Sequence, residues 1–144
     1  MVYAVGSLPY TRCMSRIDAS TARAVDLVSR SVEISTLWLY GSRARGDHVP
    51  DSDYDLAVTF TQWMPSPIES VTRLEALRSS LQQVIDGEVS LVELDRVPIP
   101  LAASIVSEGL LLIDHTPVET GWLCQRIWSK WDDWCFQRRE SNAA

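Results

Sequence analysis

Two short patterns in this 144-residue chain have the residue types and spacing for phosphate chemistry. Both lie in Leu37–Val58, LWLYGSRARGDHVPDSDYDLAV, where an apolar run ends in Gly41-Ser42 and a second run carries Asp53 and Asp55. Gly41 lets the backbone come close to an anion. Ser42 adds a hydroxyl and, if a helical turn begins there, N–H groups aimed at the same anion. Arg43 and Arg45 can make charge-assisted contacts to phosphate oxygens. Asp53 and Asp55, two residues apart on a strand, project to one face and repel each other unless a cation lies between them. Hard carboxylate oxygens of this kind suit Mg²⁺, which is usually held by one or two carboxylates together with substrate phosphates. Either pattern alone is commonplace, a tight turn or a solvated strand end. Together, ten residues apart, they describe a phosphate grip beside a metal platform.

Positioning them requires strands and helices of modest length. Thr36–Tyr40 reads as a buried strand, rich in bulky apolar residues. Asp53–Phe60 reads as a second strand, with Tyr54, Leu56 and Val58 opposite Asp53, Asp55 and Ala57. Before them, Asp18 or Ser20 can cap a helix reaching about Ser31, with Ala22, Val25, Val28 and Val32 on one side. After them, Pro65 and Pro67 mark a loop, and Ile68, Val71, Leu74, Leu77 and Leu81 recur at helical spacing up to about Val84. Asp86-Gly87 is a turn before a third strand, Glu88–Leu94. Leu101–Ser107 reads as a short helix and Leu110–Ile113 as a short apolar element. Pro117 introduces a final helix over Val118–Arg139. Strands separated by helices give an α/β fold (an α+β sandwich), a small mixed sheet flanked by helices. Residues 1–17 read as an irregular extension, 18–116 as the domain, and 117–144 as a tryptophan-rich helix packed on it.

The totals exclude several classes. A net charge of −6 argues against a broad nucleic-acid footprint. It leaves a nucleotide open, because bound cations reverse a local field. No apolar run approaches the roughly 20 residues of a membrane span, and the first residues lack the pattern of a signal peptide. Cys13, Cys124 and Cys135 form no zinc spacing and no even disulfide set, which fits free thiols in a reducing cytoplasm.

The pattern Gly41-Ser42, ten residues, Asp53-x-Asp55 resembles the signature of the DNA polymerase β-like nucleotidyltransferases. The string GSRARG…SDYDLAV, continued by VSLVELDRVP and SEGLLLID, is similar to their minimal branch, the MNT-type antitoxins paired with HEPN toxins; the resemblance covers about Ala19–Asp114. It implies the polymerase β-like fold and an activity. Ser42 and the adjacent backbone would hold the terminal phosphates of ATP, and Asp53 and Asp55 would bind Mg²⁺. AMP would be transferred to a tyrosine of the HEPN partner, neutralising that toxin. It further implies a cytoplasmic hetero-oligomer with no membrane and no direct nucleic-acid contact.

The family pattern places a third carboxylate on the next strand, where this chain has Val89-Ser90-Leu91-Val92. A serine hydroxyl is a poor Mg²⁺ ligand and a weak base, so the resemblance also admits a module that neutralises its partner by binding alone, or a transferase for a small substrate. Glu88, two residues before Ser90, is an additional candidate ligand. His48 reads as a surface loop residue. In the last helix, Trp122, Trp128, Trp131 and Trp134 exceed what one core-facing stripe needs. Trp122, Trp128 and Trp131 with Arg126 are candidates for a partner interface, where tryptophan and arginine are enriched.

Overall fold

A computed structural model of the protein describes residues 17–143. The irregular reading of residues 1–16 therefore lies outside the described residues. In chain order the elements are α1 (Ala19–Ser29), β1 (Ile34–Tyr40), the single turn α2 (Ser42–Arg45), β2 (Tyr54–Phe60), α3 (Pro67–Val84), β3 (Val89–Glu93), α4 (Ile99–Glu108), β4 (Leu110–Asp114) and α5 (Pro117–Ala143). The strands form one sheet in the order β3-β2-β1-β4. β1 pairs antiparallel with β2 and with β4, while β2 and β3 are parallel. A parallel pair needs a long crossover, and α3 supplies it.

Helices cover both faces, so the central strands read as nearly continuous apolar runs. On one side, Leu37, Leu39, Tyr54, Leu56, Val58, Val89 and Leu91 meet Ala24, Val25 and Val28 of α1 and Leu81 of α3. On the other, Trp38 and Ala57 meet Ala102, Ala103, Ile105 and Val106 of α4 and Cys124 and Ile127 of α5. Buried polar groups on β1 and β2 satisfy one another: Thr36 Oγ1 and Thr59 Oγ1 lie 2.6 Å apart, and Trp38 Nε1 donates to Thr36 Oγ1 at 3.2 Å. Asp18 caps α1 by accepting from the Thr21 N–H at 2.8 Å, and Ser66 caps α3 ahead of Pro67. No helix among the described residues is long and apolar enough to cross a membrane.

Two helical faces differ from expectation. Val32 lies beyond the end of α1 and is exposed; the buried face of that helix is Ser20, Thr21, Ala24, Val25 and Val28. Ile68 and Val71 of α3 are also exposed, whereas Leu74 and Leu77 pack on the core and Leu81 is buried in it. The reason is angular. Steps of three residues drift by about 60° each around a helix of 3.6 residues per turn, so the run 68, 71, 74, 77 winds off any single face. The face α3 turns inward is Ser70, Leu74, Leu77 and Leu81, with steps of four, three and four.

Glu93, at the end of β3 and only 4% exposed, anchors the end of the sheet away from the Asp pair. Its carboxylate accepts from Ser70 Oγ at 3.0 Å and Arg73 at 3.2 Å and forms an ion pair with Arg96 at 3.2 Å. Arg73 also donates to the Gln62 carbonyl and lies 3.8 Å over the Phe60 ring, while Arg96 donates to the Met64 carbonyl and lies 3.8 Å over Trp63. One buried carboxylate thus ties the 61–66 connection to α3 and β3. Removing it strands two arginines. Glu93→Ala should lower the unfolding free energy by about 3 kcal/mol, read from the urea midpoint, whereas Glu33→Ala on the exposed surface should shift it little.

Candidate active site

β1 ends at Tyr40, and Gly41 turns the chain with φ +72° and ψ −154°. That conformation is strained for any residue with a side chain. The space is also taken: a Cβ at Gly41 would sit 2.3 Å from Asp55 Oδ2. Glycine is therefore required twice over, by dihedral and by the neighbouring carboxylate. α2 follows, its N–H groups of Ala44 and Arg45 donating to the Gly41 carbonyl at 3.2 and 3.1 Å. The N–H groups of Ser42 and Arg43, at the start of the turn, have no acceptor within it. The Gly41-Ser42 turn and the Asp55 carboxylate are thus side by side.

The sheet register completes the site. Tyr40 of β1, Asp55 of β2 and Ser90 of β3 form one row across three strands. Asp53 lies one residue before β2 and is exposed; Asp55 is half-buried. Burial, and then the negative charge of Asp53, push the Asp55 carboxyl above its usual range, with Arg45 acting in the other direction. Tyr40, half-buried in the same row, has its phenol pushed up by burial and by the Asp55 charge. The strand alternation is as the sequence indicates, with Tyr54, between the two acids, buried on the opposite side.

The two arginines separate. Arg45 is half-exposed, 3.2 Å from Asp47 and 3.9 Å from Glu108 at the end of α4, and its charge is felt by Asp55. It is at the surface. Arg43 is not: its side chain is 8% exposed, and its guanidinium donates to the Ser52 carbonyl (3.0 and 3.1 Å), the Pro50 carbonyl (3.1 Å) and Asp18 (3.2 Å). The phosphate contact expected of Arg43 stays an expectation; its donors are engaged by the protein itself. The ligand role expected of Glu88 stays an expectation as well. Glu88 is exposed just before β3, its charge acts on Arg78 of α3, and no third histidine, cysteine or acid joins Asp53 and Asp55 in a metal-holding group among the described residues. His48 is exposed in the loop.

On α5, Trp128 and Trp131 are half-buried against the cluster around Trp38 and Ile127, and Trp122 is 64% exposed. Trp134 stacks on Trp131 with ring centroids 5.0 Å apart, and the Arg138 guanidinium lies 4.8 Å over Trp134. Arg126 is exposed beside a cleft shared with Trp63, Asp95 and Lys130. The sequence reading missed Tyr40 and Glu108. Tyr40 joins the site only through strand pairing, and Glu108 only through the path of α4, neither of which leaves a local signal.

A family model described as "Polymerase beta, Nucleotidyltransferase" matches residues 23–117, a span that holds Gly41, Ser42, Asp53, Asp55 and Ser90. No curated protein matches the chain in sequence. Among solved structures, the chain is similar to one from the MntA–HpeT toxin–antitoxin in a point-mutant form (TM-score 0.66, 20% identity, covering 88% of this chain and 96% of that one). It is similar to one from a toxin–antitoxin crystallised with AMP-PNP (TM-score 0.62, 19% identity, 86% and 94%). A third comes from a tri-AMPylated Shewanella oneidensis HEPN toxin in complex with MNT antitoxin (TM-score 0.59, 17% identity, 86% and 96%). At these identities the likeness is one of fold.

Two outcomes are expected from the geometry. Gly41→Ala combines a positive φ with an overlap on Asp55 and should cost about 1–3 kcal/mol, measured by chemical denaturation. Asp55→Asn should have the opposite sign. With its pKa raised on folding, ionised Asp55 lowers stability at any pH above the unfolded value of about 3.9. In divalent-free buffer at pH 7 the variant should melt at a higher temperature than the native protein. The gain should shrink as pH falls through the raised pKa and vanish below the unfolded one.

Proposed function

We propose, taking as premise that this chain belongs to the polymerase β nucleotidyltransferase family, that it is an antitoxin that transfers AMP from ATP to a tyrosine of a HEPN-type toxin. The observation that carries the reading is the pair Asp53 and Asp55 beside the Gly41-Ser42 turn, with Asp55 in contact range of Gly41 itself. Support for the partner comes from the fold likeness to toxin–antitoxin chains, one of them from a complex whose HEPN toxin is tri-AMPylated, and support for the nucleotide from another crystallised with AMP-PNP.

The donor set fits Mg²⁺. Two carboxylates share one face, and burial, then the charge of Asp53, push the Asp55 carboxyl up, a cost that a cation between them would relieve. Asp53 and Asp55 would hold it, with substrate phosphates completing the shell. When bound, it neutralises phosphate charge and polarises the phosphoryl oxygens. The chain's own groups do the rest. The Ser42 hydroxyl and the free N–H groups of the α2 turn bind the terminal phosphates. Arg45 swings from Asp47 and Glu108 toward the same oxygens. The acceptor tyrosine hydroxyl then attacks the α-phosphorus, losing its proton to solvent and forming its O–P bond as the bond to pyrophosphate breaks. The α5 tryptophans Trp122, Trp128 and Trp131 with Arg126 are the proposed surface that brings the partner in, and residues 18–116 the catalytic domain.

A second reading has its own observation. Ser90 stands in register with Asp55, where an acid would complete the cluster. The chain could then neutralise its partner by masking alone.

Intact-mass measurement separates the two. The chain, ATP, Mg²⁺ and the small helical protein encoded beside it should yield a partner heavier by whole AMP units. Asp53→Ala with Asp55→Ala should reduce transfer by on the order of a hundredfold or more. Ser90→Asp should raise it. A partner of unchanged mass, with cells still protected by the double mutant, would leave masking as the function.

A further inference from the structure

Tyr54 sits between the two acids in sequence and faces the other way, and the structure holds it on three sides. Arg43 lies 3.8 Å over its ring. Its hydroxyl donates to Asp18 Oδ2 at 2.6 Å. Its ring edge fills the place of a side chain at Gly87, where a Cβ would come within 2.9 Å. Arg43 reaches from the ring to the carbonyls of Pro50 and Ser52, three residues and one residue before Asp53, and to Asp18 Oδ2 at 3.2 Å. Asp18 is itself fixed by the α1 N-terminus, accepting from the Thr21 N–H on its other oxygen.

Asp18 thus accepts three hydrogen bonds from three different elements. Burial alone would raise its carboxyl, but the bonds from Tyr54 and Thr21 and the charge of Arg43 outweigh that and hold it low. Elsewhere in the connection from α2 to β2, Asp47 N–H donates to the Ser42 carbonyl at 3.2 Å, Arg45 pairs with Asp47, and Val49 N–H to Ser52 Oγ and Ser52 N–H to the Val49 carbonyl, both 2.9 Å, close a small turn.

We propose that Asp18 and Arg43 are positioning residues for the carboxylate pair. They clamp the 50–54 segment from the far side of the sheet, and so set the direction in which the Asp53 carboxylate meets that of Asp55. This deepens the function proposed above and rests on its assignment of Asp53 and Asp55 as cation ligands. It makes Arg43 a residue that acts through Asp53 and not on the nucleotide.

Binding measurements on the full chain test it, with Mn²⁺ alone and ATP in EDTA as separate probes. Arg43→Lys keeps the charge but lacks the fork needed to bridge two carbonyls and a carboxylate. Asp18→Asn keeps a helix cap and an acceptor for Tyr54 but loses the ion pair with Arg43. Each should weaken Mn²⁺ about tenfold or more, the usual effect of losing a partner behind a metal ligand, and leave ATP affinity in EDTA unchanged. Amide exchange should quicken at residues 47–53 and stay as in the native protein along β1. Unchanged Mn²⁺ affinity in both variants, or a loss confined to ATP in EDTA from Arg43→Lys, would overturn the proposal and return Arg43 to the phosphate. Native protein with no Mn²⁺ binding would instead overturn the ligand assignment, and this inference with it.

Discussion

The repulsion between two carboxylates on one face of a strand is the constraint to which the rest of the molecule answers. Asp55 cannot relieve it by turning away. The alternation of β2 fixes its side, and Tyr54, locked on the other side, fixes the alternation. Burial deepens the conflict at Asp55. Such a site is unfavourable by itself, and the surrounding fold over-determines it: a glycine whose φ and lack of side chain are both needed, a loop held by one guanidinium, and a sheet buried on both faces.

The distal end of the sheet solves a different electrostatic problem. Glu93 is more buried than either site acid, yet it is matched by Ser70, Arg73 and Arg96, and the arginines extend onto aromatic rings and loop carbonyls. A charge that is paired and hydrogen-bonded on all sides anchors structure, whereas a charge left short of partners is available to a ligand. Asp55, the second residue of β2, and Glu93, the last of β3, show that contrast at opposite ends of two adjacent parallel strands.

Much of this was legible in the chain. Gly41-Ser42, Asp53-Tyr54-Asp55 and the buried runs around them carry local signals, and strand alternation follows from a period of two. The place of Ser90 was legible through the family resemblance, which expects an acid in the run Val89-Ser90-Leu91-Val92, and the sheet pairs Ser90 with Asp55. What the sequence could not give was the task of each arginine. Arg43 and Arg45 have the same chemistry and nearly the same position, and only the path of the chain back to Asp18, twenty-five residues earlier, separates them. Helix α3 misled for a geometric reason, since a run of three-residue steps looks periodic while winding off the core. Glu108 and Tyr40 enter through tertiary packing and strand pairing alone.

The strand order β3-β2-β1-β4 has a consequence for access. Asp55 is one strand in from the margin of the sheet and Ser90 is on the margin itself, with no strand beyond it among the described residues. On the proposed function, an acceptor approaching along that margin would meet a small neutral side chain at Ser90 before the Asp55 carboxylate in the next strand.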